Sequence, residues 1–171
     1  ADTTETYECW QLALENLNSP SVLALTRQKL NPIRKEFLKE NKCSFGAYEI
    51  SRSNQDVKVA IIATGSEVNL ALEVSHKLAT ENIYSKVISV PCQELFKQQS
   101  DSYKDKILNE TEFTITIEAG STSCWQKYIV NKGLNFGIDD FGKSAPYKKI
   151  YNYFSLTAEN ITKKTKEMIN K

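Results

Sequence analysis

Arg27 is the first side chain in this sequence whose setting suggests chemistry. It follows the apolar run Val22-Leu23-Ala24-Leu25 and stands in the triplet Thr26-Arg27-Gln28. The run is expected to be a buried strand whose carboxyl end delivers the arginine. Ligands of open α/β sheets lie at that end, and a guanidinium there can grip a phosphate or carboxylate through two parallel hydrogen bonds. An arginine at a sheet edge, paired with an acid or solvated, fits the same residues, and local physics alone favours that reading. Gly65-Ser66-Glu67 offers a glycine turn ahead of a helix, whose free amides can hold an anion. It has neither a three-glycine nor a lysine-bearing phosphate pattern, and Glu67 would repel an anion, so a tight turn into a capped helix is expected. The same holds for Glu118-Ala119-Gly120-Ser121, although a carboxylate at a strand end can orient a partner residue.

The remaining reactive types are scattered. His76 is the single histidine. It falls at the edge of a helical apolar face, where a boundary side chain is expected rather than a base. Cys9, Cys43, Cys92 and Cys124 lie tens of residues apart. That spacing disfavours a zinc site and suits reduced thiols serving as small core or surface residues. Tyr147, Tyr151, Tyr153 and Phe154 beside Lys148 and Lys149 could stack bases, but helical spacing and near-neutral charge favour packing. No catalytic constellation is complete in itself.

The elements that must position these residues follow an α/β rhythm. Residues 57–64 read as a buried strand that turns at Gly65 and continues as a helix capped by Ser66. Val68, Ala71, Leu72, Ser75, Leu78 and Ala79 share one face of that helix. Further strands are expected at residues 86–90, 113–117 and 136–138. Helical stretches are expected within 93–108 and over 124–130. Ser144 is expected to cap a helix with Pro146 in its first turn, and Thr157 to cap a last helix that carries Ile161, Met168 and Ile169 inward. Ahead of this, a helix over residues 3–17 includes Tyr7, Leu14 and Leu17 among its apolar positions, with Trp10 beside them, and Asn18-Ser19-Pro20 ends it. Residues 29–45 read as an irregular, charged linker with a helical turn, and residues 51–56 as a polar hairpin-like stretch. The alternation predicts a three-layer α/β/α fold with a mostly parallel sheet and helices on both faces. No internal repeat or low-complexity tract is visible.

Composition narrows the function classes. The chain has 171 residues, 25% of them charged, and a net charge of +1. No basic field points to nucleic acid or an anionic membrane, and no apolar run is long enough to span a bilayer. The polar, acidic start does not suit a secretory signal. Lacking a methionine, it is expected to be either a processed end or an internal segment of a longer protein.

A series of segments carries the argument further. Ala1-Asp2 with Glu5 and Trp10, then Leu25-Thr26-Arg27-Gln28, Gly46-Ala47-Tyr48 and Ala63-Thr64-Gly65-Ser66-Glu67-Val68 come first. Val90-Pro91, Glu94-Leu95-Phe96, Glu118-Ala119-Gly120-Ser121, Trp125, Tyr128, Gly137-Ile138-Asp139 and Phe141-Gly142-Lys143-Ser144-Ala145-Pro146 follow. In this order they resemble the C-terminal portion of transketolase across essentially the whole chain. The resemblance implies a parent enzyme of the pentose phosphate pathway, in the cytoplasm, that transfers a two-carbon ketol unit between sugar phosphates. It implies thiamine diphosphate with Mg2+ or Ca2+ in that parent, and a homodimer whose cofactor lies between two upstream domains. Residues 1–30 would be the tail of the pyrimidine-binding domain, 31–45 a linker and 46–171 the C-terminal domain. Arg27 matches the family's arginine that binds the substrate phosphate, which reverses the local reading, and Thr26 stands where the family often has serine. The family's catalytic glutamate, proton-handling histidines and metal-binding acids match nothing here, so no catalytic, cofactor or metal residue is assigned and this chain by itself is expected to be inactive. The family's C-terminal domain carries no catalytic residue and has been suspected of a regulatory ligand role.

Other thiamine enzymes share this C-terminal fold, among them deoxyxylulose-phosphate synthase and the β subunit of 2-oxo acid dehydrogenases. The Thr26-Arg27-Gln28 and Phe141 to Pro146 segments favour transketolase, and substrate assays on the full-length protein discriminate. A split-enzyme subunit, or a free-standing binding module without activity, is the alternative of another kind, and the length of the gene distinguishes it. On either reading, residues 1–45 are expected to be mobile or packed on a neighbouring chain, because a helix and strand cut from their sheet would expose apolar surface.

Overall fold

The computed structural model describes residues 1–34 and 39–170. Part of the expected linker, residues 35–38, lies outside them. Five strands form one sheet: β1 (Tyr48–Arg52), β2 (Val59–Ala63), β3 (Ser85–Ser89), β4 (Phe113–Ile117) and β5 (Lys132–Phe136). Their spatial order is β1-β3-β2-β4-β5. β3, β2, β4 and β5 run parallel, and β1 closes one edge antiparallel to β3. Residues 51–56 therefore do not turn a hairpin from β1 into β2. β3 lies between those two strands, and it supplies the partner hydrogen bonds for both.

Helices cover both faces, as the alternation predicts. α2 (Glu67–Ala79) and α6 (Ala158–Ile169) pack on one. There Val68, Ala71, Val74, Leu78 and Ile161 meet Val59, Ile61, Val87, Ile115 and Ile117. α3 (Gln93–Lys97) and α4 (Asp101–Leu108) cover the other, with 3-10 turns at Thr122–Cys124 and Gln126–Tyr128. There Phe96, Ile107, Trp125 and Tyr128 meet Ala60, Ile62 and Ile88. Burial on both sides explains why β2 is apolar at every position. Residues 124–130 thus form 3-10 turns rather than one helix, and the expected strand at 136–138 is the end of β5, four residues earlier.

Two expected caps are absent. Ser66 already has helical dihedrals and makes no side-chain cap. The amides of Glu67 and Val68 bond back to Thr64 and Gly65 carbonyls instead, so the turn itself satisfies them. α5 (Tyr147–Tyr153) begins directly after Pro146, which occupies the cap position without a side-chain bond, and Ser144 stands outside the helix. Thr157 does cap α6, accepting from the Asn160 amide at 3.3 Å. Met168 and Ile169 pack against the core beside buried Ile161.

The N-terminal segment departs most from expectation. α1 spans Thr3–Glu15 and ends before Leu17. Its polar face, not its apolar one, meets the rest of the chain. Tyr7, Trp10 and Leu14 are exposed, whereas Asp2, Glu5 and Glu8 are buried. The Asp2 carboxylate accepts from the amides of Glu5, Ile33 and Arg34, which hold it below the usual range against the opposing effect of burial. Glu5 accepts from the Tyr48 hydroxyl at 2.8 Å and the Ser89 hydroxyl at 2.5 Å. Glu8 accepts from Arg34 Nη1 at 2.9 Å and the Cys43 amide at 3.1 Å. The helix is thus docked on its own chain. Residues 22–25 form no strand, and Val22 and Leu25 are 92% and 58% exposed. A strand needs a neighbour for its amides and carbonyls, and the sheet is built wholly from residues 48–136.

Candidate functional site

The sheet order places a topological switch point at the carboxyl ends of β2 and β4. The chain leaves β2 into α2 on one face and leaves β4 into the 3-10 turns on the other. Such a divergence of neighbouring connections is where ligands of open α/β sheets bind. Thr64-Gly65-Ser66-Glu67 follows β2, and Glu118-Ala119-Gly120-Ser121 follows β4. Gly65 has φ +51, a left-handed conformation that glycine takes without steric cost. Gly137, just beyond β5, lets two of the edge loops touch, since a Cβ there would lie 2.6 Å from the Gly120 carbonyl oxygen. Asp139 then ties the same loops together, accepting from the Thr122 amide and from the Thr122 and Ser121 hydroxyls.

Two carboxylates line this edge. Glu67 is buried and accepts from Ser66 Oγ at 2.8 Å and from the Tyr151 hydroxyl. Burial and the Glu67 charge push the Tyr151 phenol upward. Glu118 has a buried Oε2 with no hydrogen-bond partner. Burial, reinforced by the Glu67 charge, raises Glu118 to about 7, so it holds its proton far closer to neutrality than an ordinary carboxylate does. Sequence reading singled out both turns but not their meeting with Tyr151, which is 84 residues from Glu67.

Arg27 lies in a bend and is exposed. Among the described residues it makes no ion pair or hydrogen bond through its side chain, so its guanidinium can meet an anion. The Thr26 hydroxyl accepts from the Gln28 amide at 3.3 Å and closes the local turn. The Thr26-Arg27-Gln28 segment is therefore presented by a bend, not by the strand the sequence suggested.

The other candidates stay apart from this edge. His76 is an exposed residue on α2. Tyr147 stacks edge-on against Tyr151, and Tyr153 against Phe154, which fits packing better than a base-stacking platform. All four cysteines are free. Among the described residues no three His, Cys, Asp or Glu side chains gather so as to hold a metal ion, and no helix is long and apolar enough to cross a membrane.

Comparison with known proteins gives a uniform result. Residues 46–157 match the family model of the transketolase-like C-terminal domain. The chain is 37% identical to the transketolase of Sinorhizobium medicae over 172 residues, covering all of this chain and 25% of that protein. It is 39% identical to the transketolase of Bacillus subtilis over 175 residues, again covering all of this chain and 26% of that one. The solved structure of a Pichia stipitis transketolase in complex with sedoheptulose 7-phosphate superposes with a TM-score of 0.88 at 31% identity, over 99% of this chain and 24% of that one. The chain thus spans about a quarter of the length of the relatives it matches.

Proposed function

The chain belongs to the transketolase family, and from that premise we propose that it is the C-terminal portion of an enzyme that transfers a two-carbon ketol unit between sugar phosphates in the pentose phosphate pathway. Whole-chain identity to transketolases carries this reading. It favours transketolase over deoxyxylulose-phosphate synthase or a 2-oxo acid dehydrogenase β subunit. The parent is a cytoplasmic homodimer that uses thiamine diphosphate with Mg2+ or Ca2+. Residues 1–30 belong to its pyrimidine-binding domain, 31–45 to a linker and 46–171 to its C-terminal domain.

Arg27 is the substrate-binding residue in this proposal. Its exposed guanidinium, without a partner among the described residues, supports that role, as does the turn that presents it. A charge-assisted bidentate contact to a phosphate contributes roughly 2–4 kcal/mol, about 30- to 1,000-fold in affinity. The phosphate is remote from the bond that breaks, so its loss weakens ground and transition states together. Arg27→Ala in the parent enzyme is expected to raise KM for phosphorylated sugars by at least tenfold with kcat much less affected, while non-phosphorylated acceptors are used as before. Steady-state kinetics with both acceptor types is the test. Equal KM values for wild type and variant would remove Arg27 from the site.

A further inference from the structure

Two of the four thiols meet across the seam between α1 and the body of the chain. Cys9 lies one helical turn beyond Glu5, and Cys43 Sγ donates to the Glu5 carbonyl at 3.7 Å. That contact sets the Cys43 thiol against the turn of α1 that carries Cys9, and each thiol alters the acidity of the other. Cys43 is fully buried at the start of the Lys42–Phe45 turn, and its amide is fixed by Glu8. Cys9 is only partly buried. The other two thiols are occupied elsewhere, Cys92 beside Glu94 and Cys124 beside Ser123.

We propose that Cys9 and Cys43 form a thiol–disulfide site, which a small-molecule disulfide such as oxidised glutathione closes into a covalent staple between α1 and the body. The more accessible Cys9 attacks as thiolate, forming a mixed disulfide and releasing one glutathione thiolate, which takes up a proton. Cys43, deprotonated by solvent or glutathione thiolate, then attacks the Cys9 sulfur and expels the second glutathione. Two protein thiols are oxidised and one glutathione disulfide is reduced to two thiols. The neighbouring Cys43 thiol lowers the pKa of Cys9, whereas the Cys9 neighbour and burial raise that of Cys43. This asymmetry fits Cys9 as the attacking sulfur and Cys43 as the resolving one. The staple closes residues 10–42 into a loop that contains Arg27, so it fixes both ends of the segment carrying the proposed phosphate contact. It goes beyond the proposed function and does not depend on it.

The test uses the full chain. It is incubated with oxidised glutathione, its free thiols are capped, and a non-reducing digest is analysed by mass spectrometry. The expected product links the Cys9 and Cys43 peptides, while exposed Cys124 carries a glutathione adduct. The thermal midpoint is expected to rise by roughly 5–10 °C on oxidation and to fall back with dithiothreitol. In Cys43→Ser the reaction is expected to stop at a glutathione adduct on Cys9. In Cys9→Ser the oxidant is expected to leave Cys43 free and the midpoint unchanged. A wild-type product in which Cys9 keeps its adduct while Cys43 stays reduced would overturn the proposal. So would linkage of either cysteine to Cys92 or Cys124.

Discussion

Single side chains set the chemistry of the sheet edge. Glu118 is the clearest case, because burial and the Glu67 charge act on it in the same direction and raise it to about 7. Its buried Oε2 has no donor to compensate. An unfolded glutamate titrates in the ordinary carboxylate range, so between that range and about pH 7 the folded chain holds a proton that the unfolded chain has lost. Stability therefore falls as pH rises through that window. Glu118→Gln removes the titration. The variant is expected to match wild type near pH 4 and to be more stable than wild type at pH 8, with a flatter profile between. Thermal denaturation across that range measures it, and parallel profiles would deny Glu118 its raised pKa. Lys86, on β3 with β2 between it and β4, makes a contrast. It is fully buried, yet its ammonium reaches the Lys106 carbonyl at 3.3 Å and Glu110 at 3.2 Å. A buried charge with partners is structural. Glu118, whose Oε2 has no donor among the described residues, is the carboxylate at this edge that is raised toward neutrality.

At the scale of elements, the docking of α1 shows what its sequence concealed. Its apolar residues imply an inward face, but Asp2, Glu5 and Glu8 do the docking through backbone amides, Arg34 and hydroxyls far along the chain. Such partners are invisible to periodicity. Glu8→Ala would strip Arg34 of its carboxylate, leave the Cys43 amide without its acceptor, and bury what remains. Its expected cost is about 2–4 kcal/mol, seen as a lower midpoint and faster exchange of the α1 amides. A change below 0.5 kcal/mol would mean that the seam contributes little. Elsewhere legibility follows burial. β2, β3 and β4 are legible because they are buried on both faces, and α2 and α6 because each presents a periodic apolar face to the core. The run at residues 22–25 was misread because apolar content without a neighbouring strand fixes no structure. β1 is not legible in the sequence because its partner, β3, comes later in the chain than β2. For the candidate site, the turns at Gly65 and Glu118 were legible, whereas the contact of Tyr151 with Glu67 was not.

Over the whole molecule, packing is complete around the sheet and incomplete along the N-terminal segment. Both sheet faces are covered, yet Tyr7, Leu14, Leu17, Val22 and Leu25 are 68%, 73%, 90%, 92% and 58% exposed. Apolar exposure on this scale within some twenty residues marks a surface that another body covers. This corrects the expectation that residues 1–45 are either mobile or packed on a neighbour. α1 is held by its own chain on its polar side, and its opposite side and the strap beyond it remain to be covered. In the proposed parent the upstream portion supplies that cover, so chain and upstream portion should associate when produced separately. The chain alone is expected to give no ketol transfer with thiamine diphosphate and Mg2+, and the mixture to recover it. Leu17→Asp combined with Val22→Asp alters two nearly fully exposed side chains and should leave the thermal midpoint of the chain unchanged. Burying two carboxylates at the contact, however, is expected to weaken recovery at least tenfold. Titrating activity against chain concentration for both forms separates these effects. Equal recovery would mean that the exposed apolar face lies outside the contact and that α1 meets the upstream portion, if at all, through another surface.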